Sequence, residues 1–177
     1  MGVFALISCS PKHIKLTNTQ TPPPAVVAST PTVTTPGLDS TEASLRGGDF
    51  SSVPDLVAVP FNYDSAKLSA DALSILKKNA AYLKDHSDLD VLVTGNCDQR
   101  GTVEYNLALG QRRAKSVRGY YIRLGISGKR IATISYGKEK PLCTAMTESC
   151  WAQNRCADTL VRAKIAAKTQ DQPSQAQ

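Results

Sequence analysis

From Val57 onward the apolar positions recur in two alternating rhythms, one suited to strands and one to helices. Val57 to Tyr63 is an apolar run interrupted by Pro60, which lacks a backbone donor and so predicts an edge or bulged strand. Ser69 then stands where a helix cap belongs, Asp71 falls in the favourable first turn, and Leu68 is placed to pack on Leu73 across the cap. Leu73, Leu76, Ala80 and Leu83 return at helical spacing, so the first helix is predicted to end near Asp85. Val91 to Thr94 reads as a buried strand and Gly95 to Gly101 as a loop. A second helix is predicted over Val103 to Leu124, with Leu107, Gly110, Ala114, Val117, Tyr121 and Leu124 on one face and Gly125 as its stop. Its other face is basic, with Arg112, Lys115 and Arg123. Ile131 to Tyr136 reads as a third strand, Ser149 to Ala157 as a short helix, and Thr159 to Ile165 as a final strand.

This order, β-α-β-α-β-(α)-β, predicts an α/β (α+β) sandwich. Crossover connections favour parallel neighbours, and the helices pack on one face of a small mixed sheet. The 177 residues accommodate one ordinary domain plus tails. Thr17 to Gly37 holds Pro22, Pro23, Pro24, Pro31 and Pro36 among many Thr, with no apolar periodicity, which predicts an extended tether. The expected division is a partial leader over 1–9, a flexible tether over 10–56, a folded domain over 57–165 and a loose polar tail over 166–177.

The leader ends in Leu6-Ile7-Ser8-Cys9 after the apolar Val3-Phe4-Ala5, and this tetrapeptide resembles a bacterial lipobox, whose cysteine is acylated. Neither a charged n-region nor a full apolar h-region is complete, so the start is expected upstream of Met1. No run of about 18 apolar residues occurs, which leaves an acyl chain on Cys9 as the expected membrane link.

Charge narrows the function less than chemistry does. The chain carries 21 Lys+Arg against 15 Asp+Glu, and residues 57–165 alone hold 17 against 10, a net of +7. Such a domain attracts nucleic acid, anionic lipid or an anionic polymer such as a cell wall. Nucleic acid is disfavoured because Tyr120, Tyr121 and Trp151 fall mostly on the presumed core side and the cations are scattered. Two His, His13 in the tether and His86 at a helix end, offer no base beside Cys97 or Cys150, so no enzyme is expected, and no cofactor or metal site either.

The segment Asn96-Cys97-Asp98-Gln99-Arg100-Gly101-Thr102, followed by Glu104-Tyr105-Asn106-Leu107-Ala108-Leu109-Gly110-Gln111-Arg112-Arg113-Ala114, resembles the central motif of OmpA-like domains. Within that family it is most similar to the peptidoglycan-associated lipoprotein (Pal) branch. Ser135 to Pro141, Trp151 to Arg155 and Phe61 to Asp64 resemble three further segments in the family's order. The resemblance implies a non-enzymatic protein anchored in the outer membrane, its domain in the periplasm, that holds the meso-diaminopimelate of the peptidoglycan stem peptide noncovalently. It also implies a TolB-like partner in a Tol-Pal-type system. The motif's aspartate and the arginine fifteen residues later fall on Asp98 and Arg113, which the resemblance assigns to opposite ends of diaminopimelate.

The chemistry is consistent with that assignment. The amino-acid head of diaminopimelate carries an ammonium and a carboxylate on one carbon, which calls for a carboxylate acceptor and a planar bidentate donor facing one another. Asp98 and Arg113 supply both, and the same pair can close an internal salt bridge between loop and helix before a ligand arrives. Gly95 and Gly101 permit close backbone approach, Asn96 neighbours the loop, and Tyr63, Asp64 and Arg100 are candidate rim contacts. Leu109 is expected at the pocket floor, Asn106 capping the loop or touching the peptide, Arg112 in solvent and Arg155 as a structural anchor. The chain departs from the pattern at Asn96 (usually His), Gln99 (often Glu) and Cys156 (often Arg), and the first two predict altered pH dependence.

Cys97, Cys143, Cys150 and Cys156 allow three intramolecular pairings. Export favours disulfides, and Cys143 with Cys150 would close a short surface loop, while Cys97 suits a buried position. The alternative function is an envelope structural protein held mainly by disulfide crosslinks or protein partners.

Overall fold

The computed structural model describes residues 45–164. Cys9, most of the expected tether and the tail 166–177 lie outside the described residues. The elements are β1 (Val59–Pro60), α1 (Ala70–Asp85), β2 (Leu89–Asn96), α2 (Val103–Arg123), a 3-10 turn (Gly128–Arg130), β3 (Ile131–Gly137), α3 (Glu148–Asn154) and β4 (Cys156–Ala163).

Both long helices start and stop on local chemistry. Ser69 caps α1 by accepting from the Ala72 amide, and Thr102 caps α2 by accepting from the Tyr105 amide. At the end of α2, Gly125 takes φ +93° and donates to the Ile122 carbonyl, while Ile126 donates to Tyr121, the paired bonds of a Schellman stop.

The sheet order is β1-β4-β2-β3. β2 and β3 are parallel, as the crossover through α2 requires, but β4 inserts antiparallel between β1 and β2. The expected first strand shrinks to two residues at the sheet edge, where Pro60 is tolerated. The short helix ends at Asn154 rather than Ala157, because β4 begins at Cys156, three residues ahead of the expected Thr159. β2 likewise extends to Asn96, converting two expected loop positions into strand.

One face of the sheet meets α1 and α2. Ala72, Leu76, Ala80 and Leu83 of α1 and Ala114, Val117 and Tyr121 of α2 pack on Val91, Val93, Ile131, Ala157 and Val161. Leu76 and Leu83 are fully buried, and burying such a side chain contributes about 1.5–3 kcal/mol. One helix position differs from its expected face: Leu107, expected on the core side, is 38% exposed. A polar knot also sits in this core. Asn79 accepts from the Val57 amide, donates to the Val57 carbonyl and to the Tyr121 hydroxyl, and that hydroxyl bonds Thr159.

The opposite face is covered by chain that reads as tether. Leu45 packs with Leu92 and Ala132, flanked by Phe50, Ile134 and Leu160, and Ser51 exchanges both backbone bonds with Val161. The folded unit therefore includes residues ahead of Val57.

Candidate functional site

The site forms where β2 runs out and α2 begins. A Cβ on Gly95 would stand 1.9 Å from the Gly110 carbonyl oxygen, and one on Gly110 would meet Ser135 Oγ at 2.3 Å, so α2 lies directly against the sheet. This contact carries Arg113, one turn further on, to the back of the β2–α2 loop. Asn106 binds that loop from inside, donating to the carbonyls of Arg100 (2.7 Å) and Thr102 (3.0 Å), and Gly101 turns it at φ +87°.

Asp98 is 4% exposed and heavily engaged. It accepts from the Arg100 amide (3.2 Å), Arg100 Nε (3.2 Å) and Nη2 (2.7 Å), and Arg155 Nη1 (3.3 Å). Burial alone raises a carboxyl's pKa, but the hydrogen bonds from Arg100 and Arg155 outweigh it and hold Asp98 below the ordinary carboxylate range. Arg155 also binds Glu148 at 2.7 Å, tying the first turn of α3 to the loop. The guanidinium of Arg100 lies 3.9 Å from the Tyr63 ring centre and 4.4 Å from that of Trp151, a stacking position on the rim.

Arg113 is 1% exposed and forms no ion pair with Asp98, which excludes the internal bridge considered from sequence. It donates instead to three carbonyls, Ser65 (2.8 Å), Asn96 (2.7 Å) and Asn62 (3.0 Å), and to Cys97 Sγ (3.5 Å). Burial pulls its pKa down. A guanidinium has five N–H donors, so one remains, and the bidentate clasp expected of Arg113 is reduced to a single donor unless a carbonyl is released.

Asp98 and Arg113 nevertheless border one cavity of about 210 Å³, together with Tyr63, Asp64, Arg100, Asn106 and Leu109. Cys97, Gly101 and Tyr105 complete the lining. Tyr105 is not among the residues expected at the site, although it precedes Leu109 by four residues on the same helix face. Its hydroxyl donates to the Asp64 carboxylate across the cavity mouth, and Asp64 stands at φ +51°.

Two expected site residues lie elsewhere. Gly95 is spent on packing against α2. The Asn96 side chain projects away from the cavity and donates to Asp158 (2.8 Å), because strand alternation continues through it, so only its carbonyl serves Arg113. Asn96 therefore meets Asp158, whose carboxyl burial raises, outside the residues that line the cavity.

Cys143 and Cys150 form a disulfide, while Cys97 and Cys156 are buried free thiols. Burial, aided by Asp158, pushes the Cys156 thiol up to about 12. Among the described residues there is no cluster of three or more His, Cys, Asp or Glu suited to a metal ion, and no helix is long and apolar enough to cross a membrane.

A mixed sheet with two helices on one face and a charged cavity at the β2–α2 loop defines a class of small binding domain. The chain belongs to the OmpA family, which residues 60–155 match. It is 46% identical over 101 residues to the peptidoglycan-associated lipoprotein of Rhizobium meliloti (strain 1021), an alignment covering 57% of each chain. The match therefore spans little more than half of that relative's length. The peptidoglycan-associated lipoprotein of Pseudomonas aeruginosa is 42% identical over 119 residues, 67% of this chain and 66% of that one. Among solved structures, the peptidoglycan-associated lipoprotein from Burkholderia pseudomallei aligns with a TM-score of 0.57 at 43% identity, covering 59% of this chain and 89% of that one. The C-terminal domain of Helicobacter pylori MotB, 17% identical at a TM-score of 0.58, shares the fold alone.

Proposed function

We propose that this domain binds peptidoglycan noncovalently by taking the diaminopimelate of the stem peptide into the cavity between Asp98 and Arg113. The observation that carries the reading is that these opposite charges face one cavity without cancelling each other. The ligand's ammonium goes to Asp98, which is held ionised, and its carboxylate to the remaining donor of Arg113. The four bonds already on Asp98 fill the acceptor positions of a carboxylate, so one partner must yield. Arg100, 32% exposed against 10% for Arg155, is that partner. Tyr63 and Asp64 close the rim and Leu109 the floor.

In this reading the chain is an outer-membrane lipoprotein, acylated at Cys9, whose domain faces the periplasm and joins membrane to wall in a Tol-Pal-type system with a TolB-like partner. It acts by binding, without catalysis. The names of the relatives support this reading. Attachment by disulfide crosslinks is less well supported, since among the described cysteines two are bonded to each other and two are buried.

Calorimetry of the chain against free meso-diaminopimelate tests the proposal, with Asp98→Asn and Arg113→Lys as variants that keep side-chain volume. Saturable binding that weakens at least tenfold in both, with cooperative melting retained well above the assay temperature, is the expected result. A folded wild-type protein that does not bind overturns it.

A further inference from the structure

A second hollow, of about 430 Å³, lies between the loop entering α1 and the middle of α2. Lys67 stands on the loop side, Lys115 and Arg123 on the helix side, over a floor that includes Leu68, Leu73 and Tyr120. No acidic residue lines it, and no described residue forms an ion pair with any of the three cations. Arg123 rests only near the Tyr120 ring, 5.1 Å from its centre. This contrasts with Arg113, Arg118, Arg130 and Arg155, whose guanidinium groups are engaged by carbonyls or carboxylates. The groove has a sequence cause. Lys115, Gly119 and Arg123 recur every four residues on one helix face, and because Gly119 has no side chain the Arg123 guanidinium lies back along the helix, within 3.9 Å of where a Cβ on Gly119 would stand.

The groove and the first cavity are bordered by successive residues of one loop. Lys67 and Leu68 also border a small hollow with Asn62, Ser65 and Ser69, and the intervening Tyr63 and Asp64 line the cavity itself. Arg113 pins this loop by the carbonyls of Asn62 and Ser65, so its position relative to α2 is fixed. An extended peptide advances about 3.3 Å per residue, so residues adjoining one held in the cavity would run out along this loop toward the groove.

We infer that this groove is an anion subsite that receives a carboxylate on a residue adjoining diaminopimelate in the wall peptide. The inference rests on diaminopimelate occupying the first cavity. Lysine supplies a point charge and arginine a planar fork, and both suit a carboxylate held over a partly apolar floor. A flat lipid surface fits less well, because the cations line a concavity.

The test measures the full chain by calorimetry against free meso-diaminopimelate, against L-Ala-γ-D-Glu-meso-diaminopimelate, and against the same tripeptide with its glutamate carboxylate amidated. The tripeptide is expected to bind about fivefold more tightly than the free amino acid, an advantage that amidation removes and added salt erodes. Lys67→Gln, Lys115→Gln and Arg123→Gln combined remove the same advantage while affinity for free diaminopimelate and the melting temperature stay unchanged. An absent advantage, or one that survives these substitutions, overturns the subsite and leaves the first cavity standing. So does a triple variant whose only deficit is binding to phosphatidylglycerol vesicles, which assigns the groove to the membrane. Failure of free diaminopimelate to bind the wild-type chain overturns the cavity reading, and the subsite falls with it.

Discussion

Two arginines clamp opposite ends of β2, and they differ in what surrounds them. Arg130 donates to the carbonyls of Leu83 (3.2 Å), His86 (2.7 Å) and Leu89 (2.8 Å), joining the end of α1 to the start of β2. Arg113 makes the corresponding bonds at the far end, joining Asn96 to the loop that enters α1. In each case neutral carbonyl dipoles hold the cation, and burial pulls its pKa down. A carbonyl cradle alone makes a clamp. Placing the well-held carboxylate of Asp98 across an open space from such a clamp turns it into one wall of a binding cavity.

The comparison breaks most sharply at Arg113→Ala. One buried and two part-buried carbonyls and a buried thiol lose their donor, and urea unfolding is expected to show a loss of about 3 kcal/mol. Arg130→Ala is expected to cost about 1–2 kcal/mol by the same measurement, because its carbonyls lie nearer water, and diaminopimelate affinity stays as in wild type. Equal losses in the two variants contradict the distinction drawn between the two ends. The smallest effect comes from acid. Asp98 has a folded pKa below its unfolded value, so its stabilisation is present above about pH 4, the unfolded value, and is lost as pH falls through the folded one. Wild type is therefore expected to lose more stability than Asp98→Asn between about pH 5 and pH 2, measured by urea midpoints.

Much of this arrangement is legible in the residues. Ser69 and Gly125 mark helix ends by chemistry that acts within one turn, and the spacing of Asp98 and Arg113 survives folding because both sit beside one loop. Long-range partners are not legible. Nothing local reveals that Arg155, 57 residues away, shares Asp98 with Arg100, or that β4 inserts between β1 and β2. Gly95 and Asn96 illustrate a boundary error: once β2 runs two residues longer, the side chain of Asn96 points to the sheet's other face and Gly95 becomes a contact for α2. The second face of the sheet was equally hidden, since Leu45, Phe50 and Ser51 are too few and too widely spaced to show a period.

The bridge between Ser51 and Val161 determines where a mechanical load enters the domain. Tension drawn through the chain ahead of residue 45 meets the Leu45–Phe50 patch and then this backbone pair before it reaches the helices. Val161 lies on an interior strand six residues from Arg155, about 20 Å along β4. A pull that peels the leading segment from the sheet is thus spent on its apolar contacts, the Ser51–Val161 backbone pair and the bonds of Arg46 to the Thr133 carbonyl and of Arg162 to the Gly47 carbonyl, and the loop carrying Asp98 stays at rest until they part.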